Sequence, residues 1–76
     1  MSRLFDFTVV LEPQSEGGFT VHVPALPEVV TEGNTEAEAL AMAEEAIRIV
    51  LAYRLEHGIE IAADAPPTLR KLTIAA

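Results

Sequence analysis

The stretch that decides the fold is residues 35–58, TEAEALAMAEEAIRIVLAYRLEHG, which predicts one long amphipathic helix. Thr35 offers an N-cap side chain, and Glu38, three residues later, completes the pattern of a capping box. Gly58 supplies the left-handed residue that commonly ends a helix. Alanine and leucine dominate between these two ends, so helix propensity agrees with the hydrophobic pattern.

The apolar surface of this helix is unusually wide. At 100° per residue, two neighbouring apolar stripes cover about half of the circumference, and only one of them is needed to pack on a sheet. The second stripe has no evident cover, so we expect a second protomer or a partner protein to contact it. The alternative is a helix that is cradled deeply within a monomer. The candidate residues for an oligomer interface, in a dimer or a tetramer, are Met42, Ala46, Ile49 and Tyr53.

Three short strands are predicted before the helix. Residues 3–11 and 19–23 alternate between apolar and polar side chains, and a turn containing Gly17 and Gly18 joins them into a hairpin. Residues 24–27, with two prolines, predict a stiff, extended crossing, and residues 28–32 predict a third strand.

After the helix, residues 69–75 predict a final strand that extends the same sheet or pairs with another chain. The order is therefore β-β-β-α-β. We expect an α+β fold in which one long helix packs on one face of an antiparallel sheet. Residues 1–76 are expected to form a single domain.

Composition narrows the possible functions. The formal net charge of −7 argues against binding to a phosphate backbone and allows attraction to a basic partner. No cysteine is present, which excludes disulfides and thiolate metal sites. No signal peptide and no membrane span are recognisable, so the expected location is the cytoplasm.

No set of residues predicts catalysis. His22 is expected on the exposed face of a strand, and His57 is expected to compensate the dipole at the helix C-terminus. Asp6, Glu12 and Asp64 are too scattered to match a known metal-binding pattern. We therefore predict no catalytic residues, no metal and no cofactor, and we do not expect an enzyme.

Four short motifs in one order resemble those of a known family. They are Gly17-Gly18-Phe19, Pro24-Ala25-Leu26-Pro27, Glu32-Gly33-Asn34-Thr35 and Glu38-Ala39-Leu40. In this order and spacing, residues 7–67 resemble the HicB-like antitoxins, which neutralise HicA toxins. The chain departs from the family pattern at Glu28, where the family usually has glycine. Many members also carry a C-terminal DNA-binding domain, and because this chain stops at Ala76 we expect none here.

The resemblance implies a fold that looks like a truncated ribonuclease-H-type sheet. It also implies a protein partner, a small basic HicA-type ribonuclease that cleaves mRNA, whose catalytic histidine the antitoxin would cover. The resemblance leaves DNA binding doubtful. Candidate partner-binding residues, chosen for their expected surface positions, are Gln14, Glu16, Thr20, His22, Glu44 and Glu45. The alternatives are a solitary oligomeric module with no toxin and, less favoured, a small hydrolase.

Overall fold

The computed structural model describes residues 4–76 and contains one antiparallel sheet with the strand order β1–β2–β3. The elements are β1 (Val10–Pro13), β2 (Phe19–His22), β3 (Val30–Gly33) and the helix α1 (Glu36–Glu56). Because α1 packs on one face of this sheet, the predicted α+β fold is confirmed. No helix in residues 4–76 is long and apolar enough to cross a membrane.

The helix begins and ends where its local sequence predicts. The side-chain oxygen of Thr35 accepts a hydrogen bond from the backbone N–H of Glu38 at 3.1 Å. At the other end, Gly58 has a φ of +64°. The N–H of Ile59 then donates to the C=O of Arg54 at 2.8 Å. This arrangement satisfies a carbonyl that the helix end would otherwise leave free, and it turns the chain away from α1.

Two clusters of buried side chains lie between the sheet and α1. Val21 of β2 packs with Ala39 and Ala43, and these small helix residues allow the two layers to approach closely. A Cβ atom on Gly33 would lie 2.5 Å from the backbone nitrogen of Ala39, so β3 reaches the helix only because Gly33 has no side chain. The second cluster consists of Val23, Leu26 and Val29, against which Ala46, Ile47 and Val50 pack.

The prediction of an extended crossing at residues 24–27 is wrong. The N–H of Leu26 donates to the C=O of Val23, and the N–H of Val29 donates to the C=O of Leu26, both at 2.9 Å. These two successive turns place Leu26 in the core, where it has no exposed surface. Proline fits such turns because its fixed φ suits the second position of a turn.

The strands are also shorter than predicted, and β1 extends to Pro13, two residues beyond its predicted end at residue 11. Val10 pairs with His22, and the ladder between β1 and β2 goes no further towards the N-terminus. Pro24 lies two residues beyond His22 and has no N–H to donate, which prevents the ladder from continuing. The predicted first strand includes Arg3, which lies outside the described residues. β3 begins at Val30, because Glu28 belongs to the preceding turn.

The predicted final strand, residues 69–75, is not formed in the single chain. Leu69, Leu72 and Ile74 are 80%, 86% and 76% exposed. A strand requires a neighbour with which its backbone can exchange hydrogen bonds, and Pro66 and Pro67 cannot donate such bonds. The segment therefore extends away from the sheet and the helix as an arm, and it does not form a fourth strand.

Candidate functional site

The face of the sheet opposite α1 is an exposed surface with two kinds of side chain. Because Leu11, Phe19 and Val21 point towards the helix, the alternate residues of each strand point outwards. The strand register aligns these outward residues into two rows. One row is Glu12–Thr20–Glu32, and the next is Val10–His22–Val30. The outer sheet face thus presents two carboxylates beside a row in which His22 lies between two valines, and Val30 is 56% exposed.

His22 is held in place by a carboxylate on this face. Its Nε2 atom lies 2.9 Å from Oε1 of Glu12, diagonally across the strand pair. Both side chains are substantially exposed. Within residues 4–76 no three His, Asp or Glu side chains cluster closely enough to hold a metal ion. The pair is therefore a polar surface contact, in which Glu12 holds the His22 ring in one orientation.

The hairpin turn continues the outer sheet face at one end. The N–H of Gly17 donates to the C=O of Gln14 at 3.0 Å, and the side-chain amide of Gln14 donates to the C=O of Glu12 at 3.0 Å. Gly17 and Gly18 have φ values of +97° and +82°, which side chains rarely tolerate. Gln14 and Glu16, predicted as partner contacts, are exposed in this turn.

The other two predicted acidic contacts lie in the opposite layer. Glu44 and Glu45 are exposed on α1, and Oε1 of Glu44 accepts a hydrogen bond from Arg48 at 2.7 Å. Thr20 lies on the far side of the sheet from that helix. A compact partner that covers Thr20 would therefore not contact Glu44 or Glu45. The six predicted residues divide into a group of four on the sheet side and a group of two on the helix side.

One flank of α1 carries an exposed apolar patch, which we call the Tyr53 patch and define as Met42, Ile49 and Tyr53. These side chains are 46%, 64% and 56% exposed. Ala46, the fourth residue predicted for an oligomer interface, is half-buried against the chain's own core. The Tyr53 ring stacks on His57 with 4.1 Å between the ring centroids. His57 Nδ1 also lies 2.8 Å from the Tyr53 carbonyl oxygen, so this histidine is engaged locally.

An ion pair attaches the end of α1 to the turns that precede β3. A guanidinium nitrogen of Arg54 lies 2.6 Å from Oε2 of Glu28. The backbone N–H of Glu28 and the Arg54 side chain both hydrogen-bond the carboxylate, which lowers the pKa of Glu28. The Arg54 side chain is only 19% exposed, so the pair is partly shielded from water.

Sequence reasoning missed a second long-range tether. Oδ1 and Oδ2 of Asp64 accept hydrogen bonds from the backbone N–H and the hydroxyl of Thr8. These contacts lower the pKa of Asp64.

Sequence reasoning also missed that Glu12 and Glu32 flank Thr20 on the outer sheet face. Alternation already predicts that Glu12 points outwards, but only the strand register shows which residues become neighbours.

A groove on the other flank of α1 was not predicted either. We call it the β1–α1 groove. Its apolar walls are formed mainly by Phe7, Val9, Leu40, Ile47 and Leu51, and Glu44 and Arg48 lie on its lining. Phe7 and Val9 lie in the segment that leads into β1, and β1 is an outer strand of the sheet. The groove therefore lies beside an edge to which another strand can be added.

Comparison with known proteins assigns the family. The profile of the family described as "HicB_like antitoxin of bacterial toxin-antitoxin system" matches residues 7–74. The chain belongs to the HicB-like antitoxin family. It is 38% identical over 60 residues to Antitoxin HicB 1 of Photorhabdus laumondii subsp. laumondii, an alignment that covers 79% of this chain and 39% of that protein. It is also 38% identical over 58 residues to UPF0150 protein Ta0767 of Thermoplasma acidophilum, covering 76% of this chain and 84% of that protein.

The motifs that predicted the HicB-like resemblance have structural roles in this fold. Gly17 and Gly18 allow the hairpin turn, Gly33 allows contact with α1, and Thr35 caps the helix. Glu28, where the chain departs from the HicB-like pattern, forms the ion pair with Arg54. These residues specify the scaffold, and partner contacts must be sought among the exposed side chains.

Proposed function

We propose that this chain is an antitoxin that binds a small, basic HicA-type ribonuclease and covers its active site. Membership in the HicB-like family is the observation that carries this proposal. The chain spans 39% of the length of the Photorhabdus antitoxin, so the proposal concerns the toxin-binding function and does not extend to binding DNA. We place the pair in the cytoplasm, where mRNA is translated.

The outer sheet face and the adjoining turn are the surface that we assign to the toxin. They include Gln14, Glu16, Thr20 and His22 of the predicted contacts. Glu12 and Glu32 add negative charge on either side of Thr20. A basic protein would find complementary charge there, and Val10 and Val30 would supply apolar contact area.

The glutamates of α1 contribute differently in this account. Glu44 and Glu45 lie in the opposite layer, so they add to the long-range attraction that a protein of net charge −7 exerts on a basic partner. Such attraction raises the rate of encounter and weakens as salt screens it. We assign them no direct contact with the toxin.

Inhibition by occlusion requires no catalysis by the antitoxin. His22 and His57 have structural partners, in Glu12 and Tyr53, and this supports a binding role for the surfaces that contain them. The toxin would lose activity because its catalytic histidine is covered.

The Tyr53 patch favours a second candidate, a homo-oligomeric module that has no toxin partner. A dimer or tetramer could bury Met42, Ile49 and Tyr53, with Ala46 at the border, between facing helices. Replacing Ile49 with Glu should then reduce the mass measured by light scattering. An unchanged mass would exclude this helix interface.

Capture of partners from the organism's own cell extract separates the two candidates. The tagged chain is used at moderate salt, and the eluted proteins are identified by intact mass. A stoichiometric, small, basic protein with a HicA-type sequence supports the antitoxin proposal, and its release at high salt supports the electrostatic part. Recovery of only the tagged chain and its own copies favours the solitary module.

A further inference from the structure

The arm, residues 65–76, is an amphipathic segment whose large apolar side chains do not pack against the rest of its own chain. Its apolar residues Leu69, Leu72 and Ile74 are almost fully exposed. The radius of gyration is 14.9 Å, against about 11 Å expected for a compact domain of this length. The arm therefore projects from the body, and its apolar side chains remain available for contact.

The arm and the body carry opposite charges. Residues 1–64 contain all twelve acidic residues and three of the five basic ones, a formal charge of −9. The arm has no acidic residue and contains Arg70 and Lys71, a formal charge of +2. A basic toxin would repel such an arm, whereas the acidic body of a second copy would attract it.

We propose that the arm of one copy adds as a strand to the β1 edge of a second copy and fills the β1–α1 groove there. In a strand, Leu72 and Ile74 point to one face and Lys71 points to the other. With Leu72 and Ile74 in the groove, Lys71 lies on the outer sheet face. Glu12 of β1 lies on that same face and offers the opposite charge.

The tether at Asp64 determines where the arm starts. Asp64 is fixed to Thr8, two residues before β1, by hydrogen bonds of 2.8 and 2.6 Å. Pro66 and Pro67 follow after Ala65 and cannot donate hydrogen bonds to a neighbouring strand, so pairing with the chain's own β1 is interrupted. The twelve residues after Asp64 reach about 40 Å when extended, which is long enough to cross to a second molecule.

Two copies can exchange arms reciprocally about one two-fold axis. Each arm covers the groove of the other copy, so both grooves and both arms are buried together. This contact uses the flank of α1 opposite the Tyr53 patch, and it leaves the outer sheet face accessible. It also involves no toxin, so the antitoxin proposal and the exchange of arms can fail independently.

Disulfide trapping tests the exchange directly, because the natural chain contains no cysteine. One chain, labelled with ¹⁵N, carries Leu72→Cys, and an unlabelled chain carries Leu40→Cys in the groove. After mixing and mild oxidation, we expect a cross-linked dimer of mixed label as the main product. Ile49→Cys, exposed on the other flank of α1, is the matched control and should give at least tenfold less product with Leu72→Cys.

Three results would overturn the proposal. Oxidation of the double variant Leu40→Cys/Leu72→Cys to a monomer with an internal disulfide would show that the arm covers its own groove. Equal cross-linking to positions 40 and 49 would show that the arm does not bind specifically in the β1–α1 groove. If the natural chain, with no other protein present, is monomeric at micromolar concentration, the arm does not bind a second copy.

Native mass of intact variants gives a second, independent measurement. Leu72→Asp changes a side chain that is 86% exposed, so the fold of one chain tolerates it. We expect it to lower the mass of the assembly at least twofold. Thr73→Asp adds the same charge on the opposite face of the arm, outside the groove, and should lower the mass less than Leu72→Asp does. If both variants keep the mass of the natural chain, the arm does not hold the copies together.

Discussion

Asp64 accepts two hydrogen bonds from Thr8, one from the backbone N–H at 2.8 Å and one from the hydroxyl at 2.6 Å. The two residues are 56 positions apart in the sequence. The contact joins the segment that follows α1 to the segment that leads into β1. It therefore fixes the direction in which residues 65–76 leave the body.

The first prediction concerns this tether. Replacing Asp64 with Asn removes the charge that the Thr8 hydroxyl and N–H stabilise, and Thr8→Val removes the hydroxyl donor. We expect faster hydrogen exchange at the Thr8 amide in Asp64→Asn, with the exchange of α1 amides unchanged. Unchanged exchange at Thr8 would show that the tether is absent in solution.

The tether should also depend on pH. The Thr8 hydroxyl and then the Thr8 N–H lower the pKa of Asp64 in the folded chain. A lowered pKa stabilises the contact above the ordinary aspartate value of about 3.9, and that stabilisation is lost as the pH falls through the folded-state pKa. The Thr8 amide resonance should therefore shift with pH in that acidic range, and the shift should disappear in Asp64→Asn.

A second prediction concerns the contact of β3 with the helix. In Gly33→Ala, the new Cβ would lie 2.5 Å from the backbone nitrogen of Ala39, and backbone atoms cannot rotate away. We expect a loss of about 1–3 kcal/mol in the free energy of unfolding, measured with denaturant. The Ala39 amide, which donates to Thr35 at 2.9 Å, should lose protection from hydrogen exchange.

Gly17→Ala serves as the control for this effect. Nothing lies within 4 Å of the position where its Cβ would be placed, although its φ of +97° makes the substitution costly for the backbone. It should destabilise the hairpin turn and leave the protection of Ala39 unchanged. Loss of Ala39 protection in both variants would contradict the role assigned to Gly33.

The third prediction concerns the Arg54–Glu28 pair. Glu28→Gln and Arg54→Met should each lower the stability of the folded chain, and the double variant should lose less than the two single losses together. Additive losses would show that the pair does not interact in solution. Glu44 and Arg48, an exposed pair on one helix, provide a comparison that should show weaker coupling.

Local signals predicted the helix well because its ends depend on neighbouring residues. Thr35, Glu38 and Gly58 act within a few positions of one another, and so do Glu44 and Arg48. The hairpin was predicted for the same reason, since its turn joins adjacent strands.

Contacts between distant residues were not predictable in this way. Neither the Thr8–Asp64 tether nor the Arg54–Glu28 pair leaves a local pattern, because each depends on how whole elements pack. The final strand was predicted from real alternation at residues 69–75, but alternation does not supply the neighbouring strand. Among the candidate partner contacts, Gln14, Glu16, Glu44 and Glu45 are exposed, whereas Thr20 and His22 are half-buried. Their division between two opposite layers follows only from the packing of α1 on the sheet.

The fourth prediction tests which layer binds the toxin. Thr20→Arg places a bulky positive charge between Glu12 and Glu32, and it should weaken binding of a basic HicA-type toxin at least tenfold. Ala41→Arg adds the same residue on the exposed side of α1 and should change affinity less than twofold. The reverse order of effects would assign the toxin to the helix layer.

The most direct test of the central claim is the ribonuclease activity of a purified HicA-type toxin from the same organism. The activity is measured on an mRNA substrate while this chain is added at increasing ratios. The antitoxin account predicts that activity falls to background near one chain per toxin at moderate salt. Ribonuclease activity that is unchanged by a tenfold excess of the folded chain would contradict it.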